Sequence, residues 1–162
     1  LREGDHVLVG LSGGADSVAL LAALIHLRPA CGIALTAAHF NHKTRASESD
    51  RDEAFVRTLC KSIGVALTCG SLKDAKGPGG VSLEDYLRRN RYEFLENARR
   101  EAAATRIALG HQQGDQAETV LMNVIRGAGL NGLSGIPPVR NAGTLIRPLI
   151  DCSRREIVDF LA

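Results

Sequence analysis

The sequence predicts a doubly wound α/β domain, and three observations lead to that fold class. Short apolar runs alternate with longer stretches of helical character along the chain. Several of the short runs are apolar at nearly every position, as is typical of strands buried on both faces of a parallel sheet. The alternation occurs five times, which predicts a five-stranded, mostly parallel sheet with helices on both faces. Ligands of such sheets bind beyond the carboxyl ends of the strands, so the residues after each strand are the functional candidates.

The predicted elements follow one another in a regular order. The five strands are expected at residues 6–10, 33–39, 65–69, 106–110 and 144–146. The five helices are expected at residues 16–27, 49–63, 82–104, 116–126 and 153–161. The third helix is the clearest, because Ser82 and Asp85 form a capping pattern and its apolar residues form one stripe. Residues 70–80, rich in Gly, predict a mobile surface loop, and residues 130–143 predict a second irregular segment.

Composition limits the classes of protein that the chain can represent. Its 162 residues suffice for one domain, and 44% hydrophobic with 23% charged residues is ordinary for a soluble globular protein. A net charge of +2 and 4% aromatic residues do not by themselves indicate a nucleic-acid binder. No apolar run is long enough for a membrane span and no signal peptide is present, so we expect a cytoplasmic protein without a membrane partner. The four Cys form no C-x-x-C pair, which disfavours zinc and iron–sulfur sites.

The ends of the chain suggest that it is one domain of a longer protein. The single Met is Met122, and the last residues lie within a predicted helix. We therefore expect residues 1–162 to form one catalytic domain, with further domains absent from this fragment.

The loop after the first predicted strand carries the strongest motif. It consists of Ser12, Gly13, Gly14, Ala15, Asp16 and Ser17. Glycines allow the backbone to approach a ligand, and successive N–H groups at the start of a helix bind anions. An acid inside a phosphate cradle is favourable when a divalent cation lies between them, so the loop predicts ATP and Mg²⁺ binding with Asp16 as metal or catalytic carboxylate. The alternative is a tight turn in which Ser12 or Ser17 caps the helix and the charge of Asp16 favours the helix dipole.

Basic residues follow the second strand and lie on the third helix. His39, Asn41, His42, Lys43 and Arg45 form a positive segment that suits a nucleic acid or an acidic intermediate, although a solvated loop would have the same composition. Arg88 and Arg91 are three residues apart and therefore share one face of the helix. They could clamp a phosphate, or Arg88 could simply pair with Glu84 on the surface.

Two further motifs admit both a structural and a functional interpretation. Asp115 and Glu118 resemble a helix cap, yet they lie just beyond the fourth strand, where the cleft of this fold is expected. Arg126 begins an R-G-x-G segment, and it could neutralise a helix C-terminus or lie near phosphates or RNA.

Together these motifs resemble the PP-loop ATP pyrophosphatases and, among them, the tRNA(Ile)-lysidine synthase family. The resemblance rests on six segments in the expected order: 12–17, 38–45, 88–92, 110–119, 126–133 and 147–149. One departure is that Gln112 and Gly114 stand where the family usually has His and Asp. The resemblance implies an adenine nucleotide alpha-hydrolase-like, Rossmann-like fold.

The resemblance also implies a reaction and its participants. ATP would place its pyrophosphate on residues 12–17 and its adenine near Ala38, His39 and Phe40, with Gly110 and His111 also at the nucleotide. The wobble cytidine of an isoleucine tRNA with a CAU anticodon would be adenylated at C2, and L-lysine would then replace AMP. Asp16, Arg91, Asp115 and Glu118 would be catalytic residues, with the two later acids receiving lysine. The remaining basic and polar candidates would contact tRNA: Asn41, His42, Arg45, Arg88 and Arg126.

Other functions share parts of this pattern. A tRNA thiolase would need paired cysteines, and a GMP or NAD type of amidotransferase-linked synthetase should lack the segments at 38–45 and 115–119. An ATP-binding sensor of the universal stress type would need a late glycine-rich phosphate loop with different spacing. Affinity for tRNA depends on cationic side chains that neutralise phosphates, so the small net charge implies that many of the tRNA contacts lie outside this chain. The sequence leaves the oligomeric state open, with a dimer as one option.

Overall fold

A mostly parallel sheet forms the centre of the computed structural model, which describes residues 1–43, 46–72, 80–129 and 133–162. Within these residues the sheet has six strands in the spatial order β3-β2-β1-β4-β6-β5. The strands, numbered along the chain, are β1 His6–Gly10, β2 Ala34–Asn41, β3 Ala66–Ser71, β4 Arg106–Leu109, β5 Val139–Arg140 and β6 Leu145–Ile146. All neighbouring pairs are parallel except β5 and β6. The predicted fold class is therefore confirmed.

The strand count differs from the prediction by one. The five predicted strands correspond to the five mutually parallel ones, and β5 is the addition. It has only two residues, Val139 and Arg140, both exposed, and it lies in the segment predicted to be irregular. A two-residue exposed strand has no apolar run or alternation that would mark it in the sequence.

Five helices connect or follow the strands in the described part of the chain. They are α1 Ala15–Cys31, α2 Ala46–Ser62, α3 Leu83–Glu101, α4 Gln113–Ile125 and α5 Arg154–Leu161. The predicted cap of α3 is confirmed, since the Ser82 side chain accepts a hydrogen bond from the N–H of Asp85. Helix α1 continues past its predicted end, through Pro29, and ends at Gly32, which adopts a left-handed conformation (φ 60°). The predicted loop residues 73–79 and 130–132 lie outside the described residues.

The core lies on both faces of the sheet. Alternate residues of β1 point in opposite directions, so that Val7 and Val9 pack with α1 and α2 while Leu8 packs with α3. This arrangement confirms the prediction of helices on both faces. None of the helices in the described ranges is both long enough and apolar enough to span a bilayer.

A buried polar cluster closes the amino-terminal edge of the sheet. The Asp5 carboxylate accepts hydrogen bonds from the backbone of Arg2 (2.8 Å), the hydroxyl of Thr105 (2.9 Å) and the guanidinium of Arg106 (3.0 Å). Burial alone would raise the pKa of Asp5, but these three donors hold it at about 2. The cluster joins the residues before β1 to β4.

The strand order determines where a ligand can bind. From β1 the chain moves outward through β2 and β3, and then crosses to β4 on the other side of β1. The carboxyl ends of β1 and β4 therefore flank the switch point, where ligands of doubly wound sheets bind.

Candidate active site

The loop between β1 and α1 is held by a network of serine hydrogen bonds. The Ser17 hydroxyl donates to the carbonyl of Gly14 (2.8 Å) and accepts from the N–H of Ser12 (3.1 Å). Gly13 has φ +96°, a conformation that favours glycine. Gly14 is the N-cap of α1, and its own N–H donates to the Ser12 hydroxyl (3.3 Å). Among the described residues no side chain caps the N–H groups of the first turn that follows, which suits an anionic ligand.

Asp16 lies in the first turn of α1 and faces the same cleft. Its carboxylate accepts a hydrogen bond from Arg154 in the first turn of α5. The two side chains form an ion pair, although they are 138 positions apart in the sequence. Of the predicted alternative, the cap by Ser12 or Ser17 is wrong, because the N-cap is Gly14 and no described side chain caps the helix, whereas Asp16 does lie in the first turn, where its charge favours the helix dipole.

Two buried residues at the end of β2 have different surroundings. His39 is only 3% exposed, and its Nδ1–H donates to the carbonyl of Leu11 (2.8 Å), while its Nε2 is buried without a partner in the described part of the chain. Asn41 is 2% exposed, and its amide donates to Glu53 (3.1 Å) and to the backbone and side chains at the start of α2. Asn41 therefore connects β2 to α2, whereas His39 retains one ring nitrogen for a ligand.

Phe40 and His42 continue this wall of the cleft. The ring of Phe40 contacts His42 edge-on at 5.0 Å and lies 5.2 Å from Phe94 of α3. Burial lowers the pKa of His42, and the neighbouring Arg91 and His39 lower it further. The Nδ1 atom of His42 is buried, and no described residue forms a hydrogen bond with it.

The end of β4 touches the start of α1. A Cβ atom at Gly110 would lie 3.0 Å from the carbonyl carbon and oxygen of Asp16, so only glycine allows this approach without displacement. The next residue, His111, accepts a hydrogen bond at Nδ1 from Arg147 Nε (3.3 Å). Burial and the nearby Arg147 lower the pKa of His111 to about 4.

The α3 arginines and the α4 acids lie opposite each other. The guanidinium of Arg91 lies 5.5 Å from the ring centroid of Tyr92, and its buried Nε has no hydrogen-bond partner among the residues that the structure describes. Arg88, also beside Tyr92 at 5.8 Å, is exposed. Asp115 is half-buried and Glu118, one turn later, is exposed.

Helix α4 begins three residues earlier than predicted, with a different cap. The Asp115 carboxylate accepts from the N–H of Gln112 (2.8 Å), and the Gln112 side chain accepts from the N–H of Gly114 (2.6 Å). Asp115 is thus the third residue of a capping box rather than the cap itself. A Cβ atom at Gly114 would lie 2.8 Å from the Gln112 side chain. The glycine at position 114 therefore leaves room for the capping conformation of Gln112, and these are the two residues that depart from the family pattern.

The described residues enclose two adjoining cavities. The first, of about 460 Å³, lies between the residues 12–17 loop and the end of β2. The second, of about 710 Å³, lies between α3, α4 and residues 135–137. They share a wall of four side chains: His42, Arg91, His111 and Asp115. Two ligands bound in these cavities would meet at that wall.

Most of the predicted site residues line these cavities. Those in the first are Ser12, Gly14, Asp16, Ser17, Ala38, His39, Phe40, Asn41, His42, Arg91, Gly110, His111 and Asp115. Arg88 and Glu118 line the second cavity, and Gly13 and Ala15 belong to the loop without lining either one. Arg126 is exposed at the far end of α4 and lines neither cavity, and Arg45 lies outside the described residues.

Several lining residues have no role in the sequence prediction. Ser49 and Asp52 of α2 line the first cavity, and Arg140 and Arg147 line the second. Arg147 directly follows β6, so the rule that sites follow the carboxyl ends of strands could have identified it. Ser49 and Asp52 both lie in α2, which is rich in polar residues. Their residue types and spacing do not distinguish them from the solvent-exposed residues of the same helix.

A parallel sheet with a glycine- and serine-rich loop at its switch point defines a nucleotide-binding class of α/β domain. A family model described as a PP-loop domain matches residues 2–162. The chain therefore belongs to the PP-loop family of ATP-binding domains, as the sequence motifs predict.

Relatives with assigned functions cover almost the whole chain. It is 40% identical over 162 residues to a tRNA(Ile)-lysidine synthase of Clostridioides difficile (strain 630), covering 99% of this chain and 35% of that protein. It is 44% identical over 167 residues to a tRNA(Ile)-lysidine synthase of Symbiobacterium thermophilum, covering 99% of this chain and 34% of that protein. A third, from Chlorobaculum tepidum, is 44% identical over 163 residues, covering 99% and 49%. The chain thus spans a third to a half of the length of these relatives.

A solved structure supports the fold assignment. The U34-tRNA thiolase NcsA from Methanococcus maripaludis superposes with a TM-score of 0.80 over 99% of this chain and 56% of that one. At 22% sequence identity this similarity concerns the fold alone.

Proposed function

We propose that this chain is the ATP-binding catalytic part of a tRNA(Ile)-lysidine synthase. The observation that carries the proposal is the pair of adjoining cavities, of which one has the anion-binding loop and the other has both acids and arginines. Two cavities with a common wall suit a reaction in which an activated nucleotide meets a second substrate. The identity of 40% and 44% to lysidine synthases over 99% of the chain supports the particular reaction.

In the proposed complex, ATP occupies the first cavity. Its pyrophosphate lies on the loop of residues 12–17, because the N–H groups at the start of α1 and the Ser12 hydroxyl can donate there, while the Ser17 hydroxyl donates to the carbonyl of Gly14 and holds the loop. Its adenine lies near Ala38, His39 and Phe40, and Gly110 and His111 contact the nucleotide from the end of β4. This orientation places the α-phosphate toward the shared wall, within range of the Arg91 guanidinium, whose buried Nε has no partner in the described chain.

The residues fit a Mg²⁺ ion that is held together with ATP. Among the described residues no group of three or more His, Cys, Asp or Glu side chains could hold a metal alone. Mg²⁺ in nucleotide sites, however, uses one or two carboxylates together with substrate phosphates. Asp16 would be such a carboxylate, once it leaves its ion pair with Arg154. When bound, the ion would neutralise charge on the phosphates.

The second cavity would receive the wobble cytidine and lysine. In the first step, the C2 oxygen of the cytidine attacks the α-phosphorus and pyrophosphate leaves. In the second, the unprotonated amine of lysine attacks C2, loses a proton, and AMP leaves. Arg91 and Arg88 would stabilise the negative charge that develops in the first step. Asp115 and Glu118 would orient the lysine, because an ammonium group needs acidic partners before it is deprotonated.

The test of the whole reaction uses the complete protein with ATP, radiolabelled lysine and an isoleucine tRNA with a CAU anticodon. We expect AMP release and lysine incorporation in equal amounts. The control tRNA carries uridine at the wobble position, and lysine transfer to it would contradict the proposal.

The test of the loop uses Asp16→Ala, with Asp159→Ala as the matched control because Asp159 is an exposed acid of α5 that lines neither cavity. We expect D16A to abolish pyrophosphate release while its circular dichroism spectrum is unchanged, and D159A to behave as wild type. Near-normal turnover of D16A would leave Asp16 with no role beyond its ion pair.

The test of the acids separates the two steps. We expect Asp115→Asn and Glu118→Gln to raise KM for lysine while tRNA adenylation, measured without lysine, proceeds. Glu93→Gln is the control, since Glu93 is an exposed acid of α3 outside both cavities. An unchanged KM for lysine in both variants would refute this assignment.

A further inference from the structure

Arg147 is a buried cation at the carboxyl end of β6. It is 3% exposed, and its guanidinium donates from Nη1 to the carbonyl of Pro137 (2.5 Å) and from Nε to Nδ1 of His111 (3.3 Å). Its own backbone N–H donates to the carbonyl of Pro138 (2.9 Å). The hydrogen bond to the Pro137 carbonyl therefore fixes the position of the guanidinium, and the Nε–H group points at the imidazole of His111.

The direction of this hydrogen bond determines the protonation of the imidazole. A guanidinium only donates, so the nitrogen that it contacts must be an acceptor without a proton. A neutral imidazole carries one proton, which must then be on Nε2. His111 is thereby fixed as a donor through Nε2.

The charges around His111 keep it neutral. Burial opposes its protonation, and so do Arg147 of the β6 end and Arg91 and Arg88 of α3, while Asp115 of α4 favours it. The opposing groups prevail, since the pKa of His111 is lowered to about 4. At neutral pH the residue therefore acts as a hydrogen-bond donor without a charge.

His39, another histidine of the first cavity, has the opposite arrangement. Its Nδ1–H donates to the carbonyl of Leu11, so a neutral His39 offers Nε2 as an acceptor, and that atom is buried with no hydrogen-bond partner among the described residues. A phosphoryl oxygen at neutral pH accepts hydrogen bonds and would match His111 rather than His39. A ligand hydroxyl or amino group would match His39.

We propose that Arg147 is a positioning residue that fixes His111 as the neutral Nε2–H tautomer, so that His111 donates a hydrogen bond to a phosphoryl oxygen where the two cavities meet. The ligand in this statement rests on the proposed function, whereas the contact between Arg147 and His111 does not. His111 lines both cavities, and it is one of four residues in their shared wall. The paired histidines would then orient a nucleotide with its phosphate toward His111 and its donor groups toward His39.

The first experiment measures the tautomer in the ¹⁵N-labelled chain without ligand. At pH 7 we expect His111 to show a protonated Nε2 and an unprotonated Nδ1, with a scalar coupling across the hydrogen bond to Arg147 Nε. Arg147→Lys keeps the charge but removes the Nε donor, and we expect the coupling to vanish and the Nδ1–H tautomer to become populated. The control is Arg99→Lys, because Arg99 likewise donates to a backbone carbonyl, that of Ala104 (2.8 Å), but lies away from both cavities. A protonated Nδ1 in the wild type would overturn the proposal.

The second experiment tests the donor at Nε2 by two substitutions that differ in geometry. The amide nitrogen of Gln reaches the position of Nε2, whereas that of Asn reaches the position of Nδ1. In single-turnover assays of pyrophosphate release with the complete protein, we expect His111→Asn to be slower by about 100-fold, the usual effect of losing one donor to a developing charge, and His111→Gln to recover at least one tenth of the wild-type rate. Equal loss in both variants would overturn the donor role.

The two experiments separate this proposal from the proposed function. If the complete protein forms no lysidine, the proposed function fails, while the tautomer of His111 and its response to ATP are still measured in the chain. We expect ATP to shift the Nε2 resonance of His111 in the wild type and not the backbone resonances of Arg99. A His111 resonance that does not respond to saturating ATP would refute the phosphoryl contact.

Discussion

Replacing Gly110 by alanine should loosen the junction between β4 and α1. The added Cβ atom would lie 3.0 Å from the carbonyl carbon and oxygen of Asp16 and 3.1 Å from the Cα atom of Ser17. These are backbone atoms, which cannot rotate away as a side chain can. Ordinary contacts of this kind are 3.4–4 Å long, so the start of α1 would have to move by a few tenths of an ångström.

The size of the effect follows from two opposing contributions. Overpacking of this kind costs about 1–3 kcal/mol. Alanine also lowers the conformational entropy of the unfolded chain, which raises the free energy of unfolding by roughly 0.4–1 kcal/mol. The free energy of unfolding should therefore fall by about 1–2 kcal/mol, and Tm by roughly 2–8 °C for a chain of this length. Since the displaced segment includes Asp16 and adjoins the loop of residues 12–17, the affinity for ATP should fall as well.

The assay combines thermal unfolding with calorimetric titration of ATP and Mg²⁺. The matched control is Gly129→Ala, because no atom of the described residues lies within 4 Å of a Cβ atom built at Gly129. We expect Gly129→Ala to leave both Tm and ATP affinity within error of wild type. If Gly110→Ala also left both unchanged, the close approach of β4 to α1 would be wrong, and with it the account of the first cavity.

Three further predictions concern other contacts. Asp5→Asn should lower the free energy of unfolding by about 2 kcal/mol at neutral pH, because the native pKa of Asp5 is lowered to about 2, and urea titrations should show this difference shrinking as pH falls from about 4 to 2. Arg154→Ala should release the carboxylate of Asp16 and lower the Mg²⁺ concentration for half-maximal ATP binding about two- to fivefold, as expected for an exposed ion pair; calorimetry that shows an unchanged requirement would contradict this. Gln116→Met should remove both hydrogen bonds to the backbone of Ile136, destabilise the chain by about 1–3 kcal/mol and accelerate amide exchange at Ile136, and a slow exchange there would count against it.

The parallel strands could be predicted because burial on both faces leaves a local mark in the sequence. Val7, Leu8 and Val9 are all fully buried, so the run is apolar regardless of which face each residue occupies. The β5 strand lacks such a mark, since Val139 and Arg140 are both exposed. It pairs with β6 only because the chain reverses direction between residues 140 and 145, which brings the two segments side by side.

Helix ends were less predictable than helix centres, and the reasons differ. Helix α1 passes through Pro29, which removes one backbone hydrogen bond near the end of the helix, and it continues to a left-handed Gly32. At α4, the acidic pattern at Asp115 and Glu118 indicated a cap, but Gln112 is the cap and Asp115 its partner. Several side chains can satisfy the same N–H groups, so the pattern narrows the position of the cap without determining it.

The candidate site divides in the same way. The residues 12–17 loop is local, since its glycines, serines and acid lie in one turn and the anion-binding geometry depends on backbone of that turn. The partner of its acid is distant, since Arg154 pairs with Asp16 across 138 positions. No spacing rule in the sequence relates two such residues.

The sequence by itself determined the fold class, the order of strands and helices along the chain, and the family to which the chain belongs, because these depend on residue types and on spacings within single segments. Only the tertiary structure decided that two cavities share one wall, and that His39 offers an acceptor there while His111 offers a donor. His39 is the last residue of one predicted strand and His111 directly follows another, so the two look alike in the sequence. Their opposite roles depend on the partner of each Nδ1 atom, a carbonyl for His39 and the guanidinium of Arg147 for His111, and hydrogen-bond direction is set by groups that folding brings together.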